Sequence, residues 1–228
     1  MVRSQSPLRA VRRSSVREDV VDALRAALIS GEMRPGEIYS APVLAESFGV
    51  SATPVREAML ELVREDMIEV ARNKGFRVRR LTESELDELV EMRLMLEVPT
   101  MGRVAAVYDA SMDPQLKHLR QLAQKIEQAA VDRDLVEYVQ LDTEFHVGFL
   151  ELHGNASLAR TVRELRGRSR LYGLSHLAET GQLVGTVHEH GEMIDHAMHG
   201  DIQAIEHVTT THIGRVRTIW ASGKAPGA

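Results

Sequence analysis

The 228-residue chain contains no cysteine. A disulfide framework and a thiolate metal site are therefore both excluded, and any metal must sit on histidine and carboxylate. The same absence suits a reducing compartment, and a cytoplasmic location is expected. No apolar run approaches the roughly eighteen residues that a membrane helix needs, so no membrane partner is expected. The opening stretch, MVRSQSPLRAVRRSS, is basic and polar with no hydrophobic run behind it, unlike a secretory signal. The chain shows no internal repeat and no low-complexity tract.

What is present is an uneven charge. Residues 1–81 hold fourteen Lys and Arg against eleven Asp and Glu, a net of +3. The remainder holds fourteen against twenty-two, a net of −8. A basic front and an acidic back point to a polyanion partner for the front alone. Residues 1–14, with Arg3, Arg9, Arg12 and Arg13 among Ser and Pro, read as a disordered basic arm.

In residues 15–80 the patterning predicts a winged helix-turn-helix. Val20, Val21, Leu24, Ala27 and Leu28 fall at helical spacing over 16–30, and Gly31 ends that helix. A short helix is expected over 42–48, with Pro42 in its first turn. Gly49 makes a turn, Ser51 is placed to cap the next helix, and that helix runs to about Glu65. Two β-rich pieces, 67–71 and 76–79, flank RNKG, a hairpin turn with Lys74 at its tip.

From residue 81 to 222 the strand signals vanish. LTESEL offers Thr82 as an N-cap with Glu85 three residues on, a capping box. Six helices are expected, over 83–108, 113–131, 133–152, 156–177, 181–199 and 201–221, with a frayed tail at 223–228. The fold class is mainly α: an N-terminal winged helix-turn-helix followed by a C-terminal all-α six-helix bundle.

A helix-turn-helix sends the N-terminal residues of its second helix to base edges in the major groove. Here those are Ser51, Ala52, Thr53, Val55 and Arg56. The fork of Arg56 can grip guanine O6 and N7. Ser51 and Thr53 suit phosphate or methyl contacts, and Lys74 suits a backbone or minor-groove contact from the wing.

The string LAESFGVSATPVREAMLELVREDMIEVARNKGFRV, residues 44–78, resembles the GntR family of bacterial transcription regulators. The C-terminal half resembles that family's FCD (FadR C-terminal domain) branch. It does so through EMRLMLE at 91–97, DTEFH at 142–146, GN at 154–155, EHGEMIDHAMHGD at 189–201 and His212. Six helices there are similar to the VanR-like subgroup. Two positions depart from the family pattern: Ala52 stands where an arginine is usual, and the short helix lacks an arginine near Pro42. These departures leave Arg56, Thr53 and Lys74 with more of the readout.

Asp142 and His146 lie four residues apart, on one face of a helix, a spacing that binds metals. The resemblance implies a divalent metal held by an aspartate and three histidines, and the matching positions are Asp142, His146, His190 and His212. Such a donor set suits zinc first, and also nickel, cobalt or manganese. The resemblance further implies that Arg93 faces an effector cavity, where an arginine beside a metal would clamp a carboxylate. The plain alternative is a helix-surface pair of Arg93 with Glu97 or Glu91. Arg166, Arg168 and Arg170 are further candidates for the same role. The seven other histidines fit no ligand pattern, and His188 is the nearest impostor, two residues before His190.

The expected function is a ligand-responsive transcription regulator, a repressor, that binds a palindromic operator in double-stranded DNA as a homodimer. A small carboxylate effector would bind in the metal-bearing bundle. Three rivals stand beside it: a regulator whose metal is itself the signal, a metal-dependent hydrolase, and a nonspecific DNA-architecture protein. The hydrolase would need a general base from Glu144, Glu189 or Glu192, none of which stands in an HExxH frame.

Overall fold

A computed structural model describes residues 16–169 and 187–222. The basic arm, the tail, the end of the helix expected over 156–177 and the start of the one expected at 181 lie outside the described residues. So does the helix count that would mark a VanR-like subgroup.

Helix α1 spans Val16–Ser30 and buries Val20, Val21, Leu24 and Leu28, the stripe its spacing anticipates. Strand β1 (Ile38–Tyr39), helix α2 (Ala41–Phe48) and helix α3 (Ala52–Arg64) follow. Gly49 closes α2 with φ at +66°, the left-handed turn between the two helices of the DNA-reading motif. Ser51 occupies the N-cap of α3 with extended backbone, but its side chain makes no capping hydrogen bond, contrary to expectation. Strands β2 (Ile68–Ala71) and β3 (Gly75–Val78) form the hairpin.

The sheet order is β1-β3-β2, all antiparallel, with Ile38 opposite Arg77 and Tyr39 opposite Phe76. Strand β1 carries no period-2 signal, because it is two residues long and exists only by pairing with β3. That crossing requires Gly75. Its φ is +124°, and a Cβ there would sit 2.4 Å from the Tyr39 carbonyl oxygen. One apolar core, built on Leu24, Val55, Met59, Leu62, Ile68 and Phe76, holds these elements together.

The second half is helical. Helix α4 covers Glu83–Ala106, α5 Asp113–Asp132, α6 Leu135–Glu151 and α7 Ala156–Ser169. After the undescribed stretch come α8 (Glu189–Met198) and α9 (Ile202–Ser222). The capping box at the start of α4 is complete: the Glu85 amide donates to Thr82 Oγ1, and the Thr82 amide donates to Glu85 Oε2 at 2.7 Å. Asp134 caps α6, its Oδ1 accepting from the Glu137 amide at 2.9 Å. Val187 and His188 form a turn, so α8 starts at Glu189 and not within a longer helix. A separate apolar core runs through Met101, Leu116, Ile126, Phe145, Phe149 and Ile194. Ile29 of α1 packs against it, which ties the winged unit to the bundle.

Candidate metal centre and nucleic-acid interface

Asp142 and His146 share the inner face of α6, and His190 lies one residue into α8. His212 comes from α9, which runs back against α8 after the Gly200 turn. The four side chains are buried, and one ligand atom from each falls within 4.8 Å of all the others. His190 Nε2 lies 3.4 Å from Asp142 Oδ1, and His146 Nε2 lies 4.0 Å from the same oxygen. His146 Nε2 and His212 Nε2 are 3.2 Å apart. Two imidazole nitrogens about 2.0–2.1 Å from one ion are themselves roughly 3–3.5 Å apart when adjacent in its shell.

The outward nitrogens complete the pattern. His190 Nδ1 is 3.1 Å from the Val187 carbonyl oxygen, and His212 Nδ1 is 2.9 Å from Glu189 Oε2. His146 Nδ1 faces Glu97 Oε2 at 3.6 Å. His190 and His212 thus turn Nδ1 onto an acceptor and Nε2 toward the centre, while His146 Nδ1 is buried without a hydrogen-bond partner among the described residues. An acceptor on Nδ1 fixes that tautomer and leaves the Nε2 lone pair for a cation. Among the described residues, His190 Nε2 is buried without a hydrogen-bond partner. Burial, reinforced by the positive charge of Arg166, pushes His146 well below the ordinary imidazole value and keeps it neutral, the form that ligates. Burial also raises Glu189, against the pull of Arg215. The residues present fit a divalent metal.

A second layer of buried charge surrounds this centre. Arg166 of α7 is fully buried; its Nη1 donates to Asp142 Oδ2 at 2.7 Å, and its Nη2 and Nε donate to Glu97 Oε2 at 3.0 and 3.2 Å. Arg93 of α4 is equally buried and donates from Nε to Glu97 Oε1 at 2.6 Å. Burial alone would raise Glu97, but the Arg166 and Arg93 guanidiniums outweigh it and hold its carboxyl below the usual range. The pair Arg93–Glu97 therefore exists, but in the interior and not on the helix surface. Among the described residues, Nη1 and Nη2 of Arg93 have no hydrogen-bond partner. A buried guanidinium with two unfilled donors is a strong attractant for an anion.

Sequence reasoning had Glu97 only as a surface partner of Arg93 and Glu189 only as a general base for the rival hydrolase, and it left Arg166 undecided among three arginines. The available signal was three charged residues at helix positions facing inward. Arg168 points elsewhere, to Asp66, and Arg170 lies outside the described residues. His188 is exposed in the turn before α8. Glu144 and Glu192 are exposed, while Glu189 is engaged by His212 and Arg215, so none of the three stands ready as a general base.

On the winged unit, Ser51, Thr53 and Arg56 are exposed at the N-terminal end of α3, and Lys74 is exposed at the hairpin tip. Val55 must be removed from the expected DNA contacts. It is fully buried in the core of the winged unit, because it points to the α1 side of α3 and not to the groove side. Arg17 and Arg25 of α1 form partly exposed ion pairs with Glu61 and Glu65 of α3, within the winged unit.

Comparison with known proteins agrees with both halves. Residues 16–78 match the gntR family of bacterial regulatory proteins, and residues 88–215 match the FCD domain. The chain belongs to the GntR family, FCD branch. An HTH-type transcriptional regulator in an unstable DNA locus of Streptomyces ambofaciens is 29% identical over 203 residues, 88% of this chain and 83% of that protein. The gluconate operon transcriptional repressor of Bacillus subtilis is 30% identical over 140 residues, 61% of this chain and 56% of that one. The solved structure of McbR/YncC from E. coli covers 93% of this chain and 100% of its own, with a TM-score of 0.77 at 23% identity, a likeness of fold. This GntR/FCD protein is thus a transcriptional regulator, of a fold and family that are not enzymes. No described helix is long and apolar enough to cross a membrane.

Proposed function

We propose that this regulator binds a palindromic operator as a homodimeric repressor, and that a small carboxylate held in the bundle controls that binding. The observation that carries the reading is Arg93. Two unfilled donors of a buried guanidinium lie one carboxylate, Glu97, away from a buried three-histidine, one-aspartate centre. A divalent metal on Asp142, His146, His190 and His212, zinc foremost, would supply a Lewis-acidic anchor for a ligand oxygen. Arg93 would take the carboxylate in a two-pronged contact. A relative named for a gluconate operon, gluconate being a sugar acid, is consistent with an effector of this class.

Thermal unfolding of the metal-loaded protein against a panel of sugar acids, hydroxy acids and amino acids tests the reading. An effector at about a hundred times its dissociation constant stabilises by about 2.7 kcal/mol. The shift is expected to disappear in Arg93→Gln. A panel that shifts neither protein, with metal removal alone destabilising, would return the metal to a structural or signalling role.

For the DNA face, exposed Ser51, Thr53, Arg56 and Lys74 are the contacts proposed, with Arg56 reading bases. Arg56→Ala is expected to lose about 1–3 kcal/mol of specific binding and leave binding to random DNA nearly unchanged. A fluorescence-anisotropy titration with operator and scrambled duplexes separates the two. Equal binding by mutant and wild type would remove Arg56 from the readout.

A further inference from the structure

Helix α7 carries two arginines with different duties. Arg166 reaches inward to the ligand Asp142 and to Glu97. Arg168, two residues on and about 200° around the helix, reaches out of the bundle and into the winged unit. Its Nη2 lies 2.7 Å from Asp66 Oδ2. Asp66 directly follows Glu65, the C-cap of α3, the helix that would read DNA. The other Asp66 oxygen, Oδ1, accepts from Arg79 Nη1, and Arg79 Nη2 donates to Glu85 Oε1 at 2.6 Å. Glu85 is also the carboxylate of the capping box that starts α4. One aspartate thus joins the end of α3, the end of the wing and the bundle.

The contact is close as well as charged. A Cβ on Gly167 would sit 3.0 Å from Met67 Cε, so α7 lies against the turn that Asp66 begins. Asp66 holds φ at +61°, a left-handed backbone that few side chains tolerate and that Asp and Asn tolerate best. The backbone there is rigidly specified, and the carboxylate projects from a fixed point. The ion pairs are partly exposed, with 30% of the Arg168 side chain and 39% of the Asp66 side chain accessible. Pairs of that kind add little to stability. Their position is what matters.

We infer that α7 is the strut that couples the metal centre to the recognition helix, with Arg166 sensing the state of Asp142 and the Arg168–Asp66 ion pair passing it to α3. The inference rests on the metal reading above. When Asp142 takes a cation, its carboxylate charge is shared between the ion and Arg166. Arg166 then redistributes toward Glu97, α7 adjusts, and Arg168 moves against Asp66. The coupling needs a discrete contact at each end of one rigid element, and both ends are present.

The test is hydrogen exchange on the full chain with and without Zn2+, in wild type and in Asp66→Asn and Arg168→Gln. Asparagine keeps the left-handed backbone and removes the charge, so Asp66→Asn leaves the fold intact. In wild type, Zn2+ is expected to slow exchange at 142–146 and to change it by about tenfold at 62–71. Both variants are expected to keep the first effect and lose the second. An unchanged response at 62–71 in the variants overturns the strut. So does protection at 142–146 in wild type with no change at 62–71. Absence of any effect at 142–146 overturns the metal reading itself, and the strut with it.

Discussion

Arg166→Ala is expected to be among the most damaging single substitutions in the bundle, costing about 3–5 kcal/mol in the metal-free protein. Arg166 is wholly buried and gives hydrogen bonds to two wholly buried carboxylates, Glu97 and Asp142. Removing it leaves Glu97 with one guanidinium where it had two, and leaves Asp142 without the guanidinium that donates to its Oδ2. Burial that Arg166 now offsets would then push the Glu97 carboxyl upward. A loss of that size lowers Tm by roughly 10 °C in a chain this long. The double variant Arg166→Met with Glu97→Gln is expected to recover part of the loss, because the orphaned charge goes with its partner. Calorimetry of the three proteins decides it. A drop under about 1 kcal/mol for Arg166→Ala would mean that water replaces the guanidinium freely, against the burial seen here.

Metal loading is expected to produce the second large effect. Zn2+ at about a thousand times its dissociation constant stabilises the folded state by about 4 kcal/mol. The gain arises because the unfolded chain scatters four ligands that α6, α8 and α9 bring within 4.8 Å. His190→Ala removes a ligand whose Nε2 faces Asp142, and is expected to abolish most of the shift. Glu189→Ala leaves all four ligands in place but frees the His212 ring from its acceptor. That change is expected to weaken Zn2+ about 10–100-fold. Calorimetric titration distinguishes the buried centre from surface histidines such as His199 by stoichiometry. A one-to-one event that survives in His190→Ala would place the ion elsewhere.

The winged unit and the start of the bundle were readable because their signals are local. The α1 stripe, the Gly49 turn, Pro42 in the first turn of α2 and the Thr82 capping box each depend on residues within a few positions of one another. Strand β1 escaped notice because its only cause is a partner nearly forty residues away. Val55 was misread for a related reason. Five of the six residues from Ser51 to Arg56, at the start of α3, were expected as DNA contacts. Helix rotation against α1 then turns one of them into the core.

The four residues of the buried Asp/His cluster were legible by residue type, spacing and resemblance, yet no local pattern indicates which imidazole nitrogen faces the centre. That follows from the Val187 carbonyl and the Glu189 carboxylate, the first beside His190 and the second reaching across to His212 on the next helix. Arg93 illustrates the division best. The i,i+4 pair with Glu97 is written in the chain, and helix geometry guarantees their meeting. Burial of that pair, with Arg166 brought in from 69 residues away, is not. By itself the sequence determined most of the helices, the Gly49 and Thr82 caps and the set of groups able to bind a metal, because those depend on short-range spacing. Only the tertiary structure decided which charged groups lose water, since desolvation depends on what the other helices cover.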